Sequence, residues 1–246
     1  MKVLAVYNLK GGVGKTSTAV NLAYLAAREG RRTLLWDLDP QGAATFLFRI
    51  RPKIKGGSRA LISGDRPLDG ALRGSDFDGL DLLPADFRYR YMDLELDGTR
   101  KPTRRLSRLL ATVADDYDVV FLDCPPSISL VSESVMDASD LLLVPLIPAT
   151  LSLRTFDQLT GFVADFDGRR PEVVAFFSMA DRRKRLHRDI IESIPRDRGR
   201  IADTVIPSTT VVEQMAERRA PVPHFAPKSP VARRYEALWA EVAPAS

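Results

Sequence analysis

A glycine-rich segment with two lysines, set between an apolar run and a helical pattern, constrains the fold of this chain more than any other feature. Residues 1–7 (MKVLAVY) are mostly apolar and predict a buried parallel strand, whereas residues 16–28 repeat alanine and leucine at helical spacing. The segment between them reads Lys10-Gly11-Gly12-Val13-Gly14-Lys15-Thr16. A glycine-rich turn between strand and helix favours phosphate, because backbone N–H groups and the positive helix end face the same point. The segment therefore predicts a phosphate-binding loop.

The residue types in this loop suit a nucleoside triphosphate and its metal ion. Three glycines allow the main chain to approach phosphate oxygens closely: Gly11, Gly12 and Gly14. Lys15 would reach the β- and γ-phosphates, and the Thr16 hydroxyl would coordinate Mg²⁺. The loop departs from the pattern G-x-x-x-x-G-K-[ST], because Leu9 occupies the first glycine position and an additional lysine, Lys10, follows it. A solvated loop lysine beside an ordinary glycine turn is the alternative interpretation.

Composition limits the class of protein and its compartment. The 246 residues are 45% hydrophobic and 28% charged, which is typical of a globular α/β chain, and we expect one domain spanning residues 1–246. A single cysteine, Cys124, excludes an internal disulfide framework and a CxxC metal site. The sequence contains no apolar run near the length of a membrane span and no pattern of a secretory signal. We therefore expect a cytoplasmic protein.

Apolar runs alternate with helical patterns along the chain, which predicts an α/β fold with a mostly parallel central sheet and helices on both faces. After the first strand and helix, we predict strands at residues 33–37, 80–84, 118–123, 140–145, 173–178 and 204–206. The predicted helices cover residues 103–114, 151–166, 185–193, 211–218 and 231–242, with a loop and short helix at 128–138. Residues 49–105 show the weakest periodicity, and we expect one or two short helices there.

Acidic residues follow two of the predicted strands, at the edge where open α/β sheets bind ligands. Asp37 and Asp39 lie in the motif DLDPQG, and Asp123 opens the motif DCPPS. Asp123 would hold Mg²⁺ through a water molecule, and Asp39 would orient the attacking water or hold the water shell of the metal. Acidic residues at strand ends also cap helices and start turns, which is the alternative role. Cys124 is expected to be a small buried neighbour rather than a nucleophile.

With these motifs in place, the chain resembles the ParA/MinD family of deviant Walker ATPases. The resemblance rests on residues 10–16, on Asp37-Leu38-Asp39-Pro40-Gln41-Gly42 and on Asp123-Cys124-Pro125-Pro126-Ser127, with weaker similarities up to about residue 235. It implies a P-loop NTPase fold, ATP and Mg²⁺ as cofactors, slow basal hydrolysis and a homodimer that encloses ATP. Lys10 matches the family lysine that reaches the phosphates of the partner subunit, and Asp39 matches the catalytic aspartate. The nucleotide-binding set would comprise Lys10, Gly11, Gly12, Val13, Gly14, Lys15, Thr16 and Ser17, with Met179 and Pro207 beside the adenine.

Within this family the motifs resemble the short ParA partition and positioning ATPases, which have no N-terminal helix-turn-helix. The resemblance implies ATP-dependent, non-specific DNA binding, association with the nucleoid, and hydrolysis stimulated by a ParB-like adaptor or another cargo adaptor. The chain has Ser208-Thr209 where short ParA chains often have Arg-Asn, so that family contact cannot be transferred. By charge alone, the candidate DNA-binding residues are Arg182, Arg183, Arg185, Arg188, Arg218 and Arg219.

Two other functions fit the same phosphate loop. A MinD-like ATPase that cycles on and off membranes would need an amphipathic C-terminal helix, and residues 231–242 are short and carry two glutamates. A packing role for this helix is the expectation, and we expect no membrane partner. A metabolic enzyme of the same fold would use ATP to activate a carboxylate and would show substrate-dependent ATP turnover.

Overall fold

The computed structural model describes residues 1–52, 54, 57–63, 67–194 and 200–244. In this part of the chain, eight strands form one sheet in the order β3-β4-β2-β5-β1-β6-β7-β8. All neighbouring strands are parallel except β3, which is antiparallel to β4 at one edge. The strands are β1 (Lys2–Val6), β2 (Thr33–Asp37), β3 (Arg73–Gly74), β4 (Leu80–Leu83), β5 (Val119–Asp123), β6 (Leu141–Leu146), β7 (Glu172–Ala180) and β8 (Arg200–Pro207). The predicted α/β class with a mostly parallel sheet is confirmed.

Helices connect the strands and cover both faces of the sheet. They are α1 (Lys15–Arg28), α2 (Ala43–Leu47), α3 (Gly57–Ser63), α4 (Met92–Asp97), α5 (Arg105–Ala111), α6 (Leu130–Ala138), α7 (Thr150–Asp165), α8 (Arg185–Ser193), α9 (Thr210–Arg218), α10 (Val222–Phe225) and α11 (Pro230–Val242). Short 3₁₀ helices occupy Leu68–Ala71, Phe87–Tyr91 and Pro102–Arg104. No helix of the described residues is both long enough and apolar enough to span a bilayer.

The alternation of side chains along β1 shows how the sheet separates two cores. Val3 and Ala5 pack into the core that contains α4 to α8, whereas Leu4 and Val6 pack with α1, α9 and α11 on the other face. Successive side chains of a strand point to opposite faces, so both faces of this central strand must be apolar. The continuous apolar pattern of residues 1–7 therefore reflects a strand that is covered on both sides.

The largest differences from the sequence-based expectations concern three elements. The helix predicted at 103–114 is a 3₁₀ turn at Pro102–Arg104 followed by α5, which ends at Ala111. The Thr112 hydroxyl donates to the Leu109 carbonyl oxygen at 2.7 Å, a local hydrogen bond that competes with helix continuation. Strand β8 extends the predicted 204–206 segment in both directions because it pairs with β7. Strand β3 was not predicted, since its two residues are exposed and too few to show a period.

The register of the central strands brings the predicted motifs to one edge of the sheet. Val6 of β1 pairs with Asp123 of β5, and Asp123 pairs with Asp37 of β2. The phosphate loop, residues 10–16, comes shortly after the end of β1, so the loop and both acidic motifs meet at the carboxyl ends of three adjacent strands. This is the edge at which open α/β sheets bind ligands.

Candidate nucleotide site

Backbone conformation shows why the loop requires glycine at two positions. Gly12 has φ +70° and Gly14 has φ +92°, values that an L side chain rarely adopts. A Cβ on Gly14 would lie 2.8 Å from the Ser178 Oγ atom of β7, closer than ordinary contact allows. Helix α1 begins immediately after Gly14, at Lys15. The glycines therefore permit both the left-handed turn and the close approach of the loop to β7.

Asn8 fixes the start of the loop, a role that no motif in the sequence predicts. Its Nδ2 atom donates to the Pro145 carbonyl oxygen of β6 at 2.7 Å, and its Oδ1 atom accepts from the Lys10 N–H at 2.9 Å. The side chain is buried. A polar residue directly after an apolar strand was the available indication, but its partner on β6 is visible only in the folded chain. Asn8 thus fixes the position of the Lys10 backbone relative to β6.

The two lysines of the loop occupy different environments. Lys15 is 7% exposed, and its Nζ atom donates to the Lys10 carbonyl oxygen at 3.0 Å. Burial lowers the pKa of Lys15, and the nearby carboxylates of Asp123 and Asp39 oppose that shift. The side chain of Lys10 is exposed, while its backbone is held at both the N–H and the carbonyl. Lys15 therefore points into the loop, and Lys10 is available at the surface.

Asp37 is a buried carboxylate that positions the acidic loop. Its Oδ2 atom accepts from the Thr45 N–H at 2.8 Å and from the Thr45 hydroxyl at 2.7 Å, and its Oδ1 atom accepts from the Asp39 N–H at 3.3 Å. The Thr45 Oγ1 atom in turn accepts from the Ala85 N–H at 2.8 Å. Burial raises the pKa of Asp37 to about 6, and these hydrogen bonds limit the rise. Asp37 thus links the end of β2 to α2.

Asp123 has no such partners. Its residue is fully buried, and neither carboxylate oxygen has a hydrogen-bond partner in the described part of the chain. Burial and the negative charge of Asp37 raise its pKa well above the ordinary value, while the neighbouring Thr16 hydroxyl and Lys15 ammonium lower it. Unpartnered buried oxygens are costly, so they usually indicate a missing ligand or a functional role. Two buried carboxylate oxygens beside a threonine hydroxyl fit the water shell of Mg²⁺.

A cavity of about 720 Å³ lies between the phosphate loop, the acidic loop and the ends of β7 and β8. Its size is within the range of small-molecule sites. Most of the predicted nucleotide-binding residues line it: Gly11, Gly12, Gly14, Lys15, Thr16, Ser17, Met179 and Pro207. Asp39 also lines it, and the Asp39 Oδ1 atom accepts from the Gln41 N–H at 2.9 Å. The side chain of Val13 is buried, so this residue could offer only its backbone.

The cavity also has walls that the sequence analysis did not assign. Phe46 of α2, Pro126 after β5, and Val212 and Met215 of α9 all line it. Pro126 lies beside the phosphate loop, where a Cβ on Gly11 would be 3.9 Å from its ring, whereas the other three provide apolar surface against which a nucleotide base could pack. The three segments that carry these residues lie far apart in the sequence, so no local pattern joins them. Cys124 is buried beside this site, as expected.

The candidate DNA-binding arginines form two groups that differ in how far contacts restrain their side chains. The first group consists of four exposed arginines around the start of α8: Arg182, Arg183, Arg185 and Arg188. Arg183 is held by Asp181 of the same loop in a two-pronged ion pair with both distances at 3.0 Å. Within the described residues, Arg182 forms no ion pair. This group retains exposed positive charge for a polyanion.

The second group lies at the end of α9. Arg218 is exposed, whereas Arg219 has φ +50°, donates from Nε to the Phe46 carbonyl oxygen at 3.0 Å, and places its guanidinium 4.5 Å from the Phe46 ring centroid. Since Phe46 lines the cavity, Arg219 is a contact between α9 and the nucleotide site. Its side chain is therefore less available to DNA than that of Arg218.

Comparison with known proteins identifies the family to which this chain is similar. The family described as an AAA domain matches residues 1–173. The sporulation initiation inhibitor protein Soj of Bacillus subtilis is 31% identical over 98% of both chains, and the chromosome partitioning protein ParA of Caulobacter vibrioides is 32% identical over 98% of this chain and 94% of its own. A Mycobacterium smegmatis structure, described as cobyrinic acid a,c-diamide synthase with bound ATP analogue and magnesium, has a TM-score of 0.79. It is 28% identical over 98% of this chain and 93% of its own.

The chain belongs to the ParA/MinD family of P-loop ATPases. The resemblance inferred from residues 10–16, Asp39 and Asp123 is therefore confirmed. Membership in the ParA/MinD family explains why a phosphate loop with an additional lysine occurs together with two acidic strand ends on one sheet edge. The similar proteins reported above include both partition proteins and a synthase, so similarity alone does not determine the cellular task of this chain.

Proposed function

We propose that this chain is an ATP-dependent dimerising switch that binds DNA non-specifically and positions DNA or another cargo in the cell. In this proposal residues 1–246 form one ATPase domain, the protein is cytoplasmic and associated with the nucleoid, and a ParB-like or other cargo adaptor stimulates hydrolysis. The similarity to Soj and ParA over nearly the whole chain supports it. The observation that carries it is the exposed Lys10 side chain on a backbone that is fixed at the phosphate loop.

Different residues of the cavity would bind the phosphates, the metal ion and the adenine. The loop backbone from Lys10 to Ser17 would bind the phosphates, and Lys15 would exchange its contact with the Lys10 carbonyl for the β- and γ-phosphates. The Thr16 hydroxyl would coordinate Mg²⁺, with Asp123 and Asp39 holding its water shell. The metal would neutralise charge that develops on the phosphates during hydrolysis. Met179 and Pro207 would pack against the adenine.

Asp39 is proposed to hold the attacking water. Its carboxylate borders the cavity, and its backbone N–H donates to Asp37, which is itself held by Thr45. This chain of contacts fixes the acidic loop relative to the sheet, so the Asp39 side chain would be held in place at the cavity when ATP binds. Phosphoryl transfer requires mainly positioning and charge stabilisation, and both can be supplied in this way.

The exposed position of the Lys10 side chain favours a dimer. Its backbone is fixed by Asn8 and Lys15, yet its side chain is exposed and does not line the cavity of its own subunit. A lysine held at the mouth of a phosphate site but directed to the surface can serve the phosphates of a second copy. Two such lysines would repel each other unless a polyanion lies between them. Dimerisation would then depend on ATP, and hydrolysis would weaken the dimer.

Size-exclusion chromatography with light scattering tests the dimer. With ATP and Mg²⁺, the wild-type chain should elute as a dimer, Lys10→Ala should remain monomeric, and Asp39→Ala should accumulate as a dimer because hydrolysis is blocked. Lys228→Ala, which removes another exposed lysine, is the matched control and should dimerise normally. Normal ATP-dependent dimerisation of Lys10→Ala would exclude the cross-subunit role.

DNA binding is tested separately with a labelled duplex of arbitrary sequence. Binding should require ATP and fall steeply with added salt, because phosphate contacts release counterions. Arg182→Glu and Arg218→Glu should weaken binding of every sequence to a similar extent. Equal binding with ADP or without nucleotide would refute a nucleotide-controlled DNA switch.

A membrane-cycling function is disfavoured by the position of α11. Its apolar side chains, including Tyr235 and Leu238, are buried against the core that contains α1. Trp239 is buried as well, and its Nε1 atom donates to Glu29 of the α1 C-terminus at 2.8 Å. An amphipathic membrane helix needs an apolar face that is free to enter lipid. The packing role expected for this helix agrees with these contacts.

The similarity to the M. smegmatis synthase supports a second candidate, an enzyme that uses ATP to activate a carboxylate for amide formation. Steady-state ATP turnover distinguishes the two. A synthase would hydrolyse ATP rapidly only with a carboxylate substrate such as cobyrinic acid and a nitrogen donor. The proposed switch would hydrolyse ATP slowly, with no response to that substrate.

A further inference from the structure

A second cavity, of about 760 Å³, lies on the opposite side of the sheet from α1 and α11. It is bounded by α3, α4 and α5, and none of its lining residues lines the nucleotide cavity. Four arginines line it: Arg59, Arg100, Arg105 and Arg108. Glu95 is the acidic residue in its lining. The cavity therefore carries an excess of positive charge.

The arginines of this cavity make few contacts with other side chains of the described residues. In the described part of the chain none of the four forms an ion pair. Arg105 donates to the Leu61 carbonyl oxygen at 3.5 Å and Arg108 to the Arg100 carbonyl oxygen at 3.4 Å, and both contacts are long. The Arg105 Nε atom and the Glu95 Oε2 atom are buried and have no hydrogen-bond partner among the described residues. Buried polar groups of this kind are usually satisfied, so the cavity has unused hydrogen-bonding capacity.

An apolar surface borders the same cavity. Leu94 is 74% exposed and Tyr91 is 47% exposed, and both line the cavity. Phe87, which is 60% exposed, is joined to Tyr91 through Arg90, whose guanidinium lies 4.1 Å from the Phe87 ring centroid and 4.6 Å from the Tyr91 ring centroid. These side chains form a continuous exposed patch. Large apolar side chains that are grouped at the surface mark interaction sites.

We propose that the arginine cavity and its apolar border bind an acidic, amphipathic segment of a partner protein. Carboxylates of that segment would pair with the guanidiniums, which suit planar oxyanions, and its apolar side chains would cover Leu94, Tyr91 and Phe87. Duplex DNA fits the surface less well, because the guanidiniums line a concave space with Glu95 among them, and DNA phosphates gain nothing from exposed leucine. The segment would bind independently of DNA and of the nucleotide cavity.

A phage-displayed library of random peptides, selected on the full-length chain with ATP and Mg²⁺, tests the proposal. Peptides that bind should be enriched in Asp and Glu interspersed with aromatic and aliphatic residues. By fluorescence anisotropy, the selected peptides should bind Arg105→Glu/Arg108→Glu at least about tenfold more weakly than wild type, since two charge-assisted contacts become repulsive. Arg233→Glu/Arg234→Glu is the matched control, because it changes the charge equally on exposed residues of α11, across the sheet. This control should bind the peptides like wild type.

A second variant covers the case in which the double substitution in α5 disturbs folding. Leu94→Ser alters a side chain that is mostly exposed, so it should fold, retain ATP hydrolysis and weaken peptide binding. Selected peptides that bind both cavity variants as tightly as wild type, or that are basic, would overturn the proposal. Loss of duplex DNA binding in Arg105→Glu/Arg108→Glu, with peptide binding unchanged, would also overturn it and assign the surface to nucleic acid.

Discussion

Replacing Asp123 by asparagine should stabilise the protein in the absence of nucleotide, although it removes a proposed magnesium-site residue. The carboxylate is fully buried, its two oxygens have no hydrogen-bond partner in the described residues, and Asp37 adds a second negative charge nearby. Burial therefore disfavours its charged form. Asparagine has a similar volume and no charge, so it avoids most of this cost.

The expected size follows from the cost of an unpartnered buried group. Leaving a buried polar group unpartnered costs about 1–3 kcal/mol. The neighbouring Asp37 shows the same direction, since burial raises its pKa to about 6 even though it has hydrogen-bond partners. Asparagine must also satisfy its amide, so we expect a net gain of about 2 kcal/mol. For a chain of this length, that gain corresponds to about 4–8 °C in Tm.

The sign of the pH dependence provides the stricter test. A carboxyl group whose pKa is raised on folding costs stability above the folded-state pKa, and this cost disappears below the unfolded-state value. The advantage of Asp123→Asn in urea unfolding should therefore be largest at about pH 8 and vanish near about pH 4. A variant that is less stable than wild type at the higher pH, or more stable by the same amount at both, would refute the reasoning.

Asp118→Asn, at the residue that precedes β5, is a control of opposite sign. Asp118 is partly exposed, and its hydrogen bonds from Arg32 lower its pKa to about 2. Such a carboxylate contributes stability above its unfolded-state pKa and loses it as the pH falls toward the folded-state value. Asp118→Asn should therefore reduce stability slightly at neutral pH and have no effect in strong acid. The same direction for both variants would indicate a general effect of removing negative charge.

Two further substitutions test the loops of the site. Gly14→Ala should weaken ATP binding and lower Tm, because alanine at φ +92° costs roughly 1–2 kcal/mol and its Cβ would contact Ser178. The double variant Gly14→Ala/Ser178→Gly removes only that contact, so it should recover part of the lost Tm. Full recovery would show that backbone strain is unimportant. Thr45→Val should lower the free energy of unfolding by about 2–3 kcal/mol, because its hydroxyl bonds both Asp37 and the Ala85 N–H, whereas Thr45→Ser should stay close to wild type in the same urea titration.

The phosphate loop could be predicted from the sequence because its chemistry is local. Glycines at Gly12 and Gly14, a lysine at Lys15 and a helical pattern after it all act within a few residues of one another. Asp39 and Asp123 required one additional step, namely that parallel strands end at the same edge of a sheet. The register of β2 and β5 confirms that step.

Contacts between distant segments could not be predicted. Asn8 holds the loop through a carbonyl of β6, and Ser178 limits the space at Gly14 from β7. Arg219 was selected for its charge, yet its guanidinium packs on Phe46 beside the nucleotide cavity. In each case the side chain has an ordinary residue type, and its role depends on a partner more than a hundred positions away. The arginine cavity could not be predicted for a different reason, since it assembles from three short helices in the region of weakest periodicity.

The arrangement of charge around the nucleotide site connects stability to switching. The chain buries Lys15 against a carbonyl oxygen, and within the described residues both oxygens of Asp123 have no hydrogen-bond partner. Folding therefore carries an energetic cost at two groups that phosphate and magnesium would satisfy. Any ligand that binds the folded chain through these groups stabilises it by mass action. The rise in Tm on adding ADP and Mg²⁺ should therefore be larger for wild type than for Asp123→Asn. An equal rise in both proteins would mean that Asp123 does not sense the metal, and the second acidic motif would lose its proposed role.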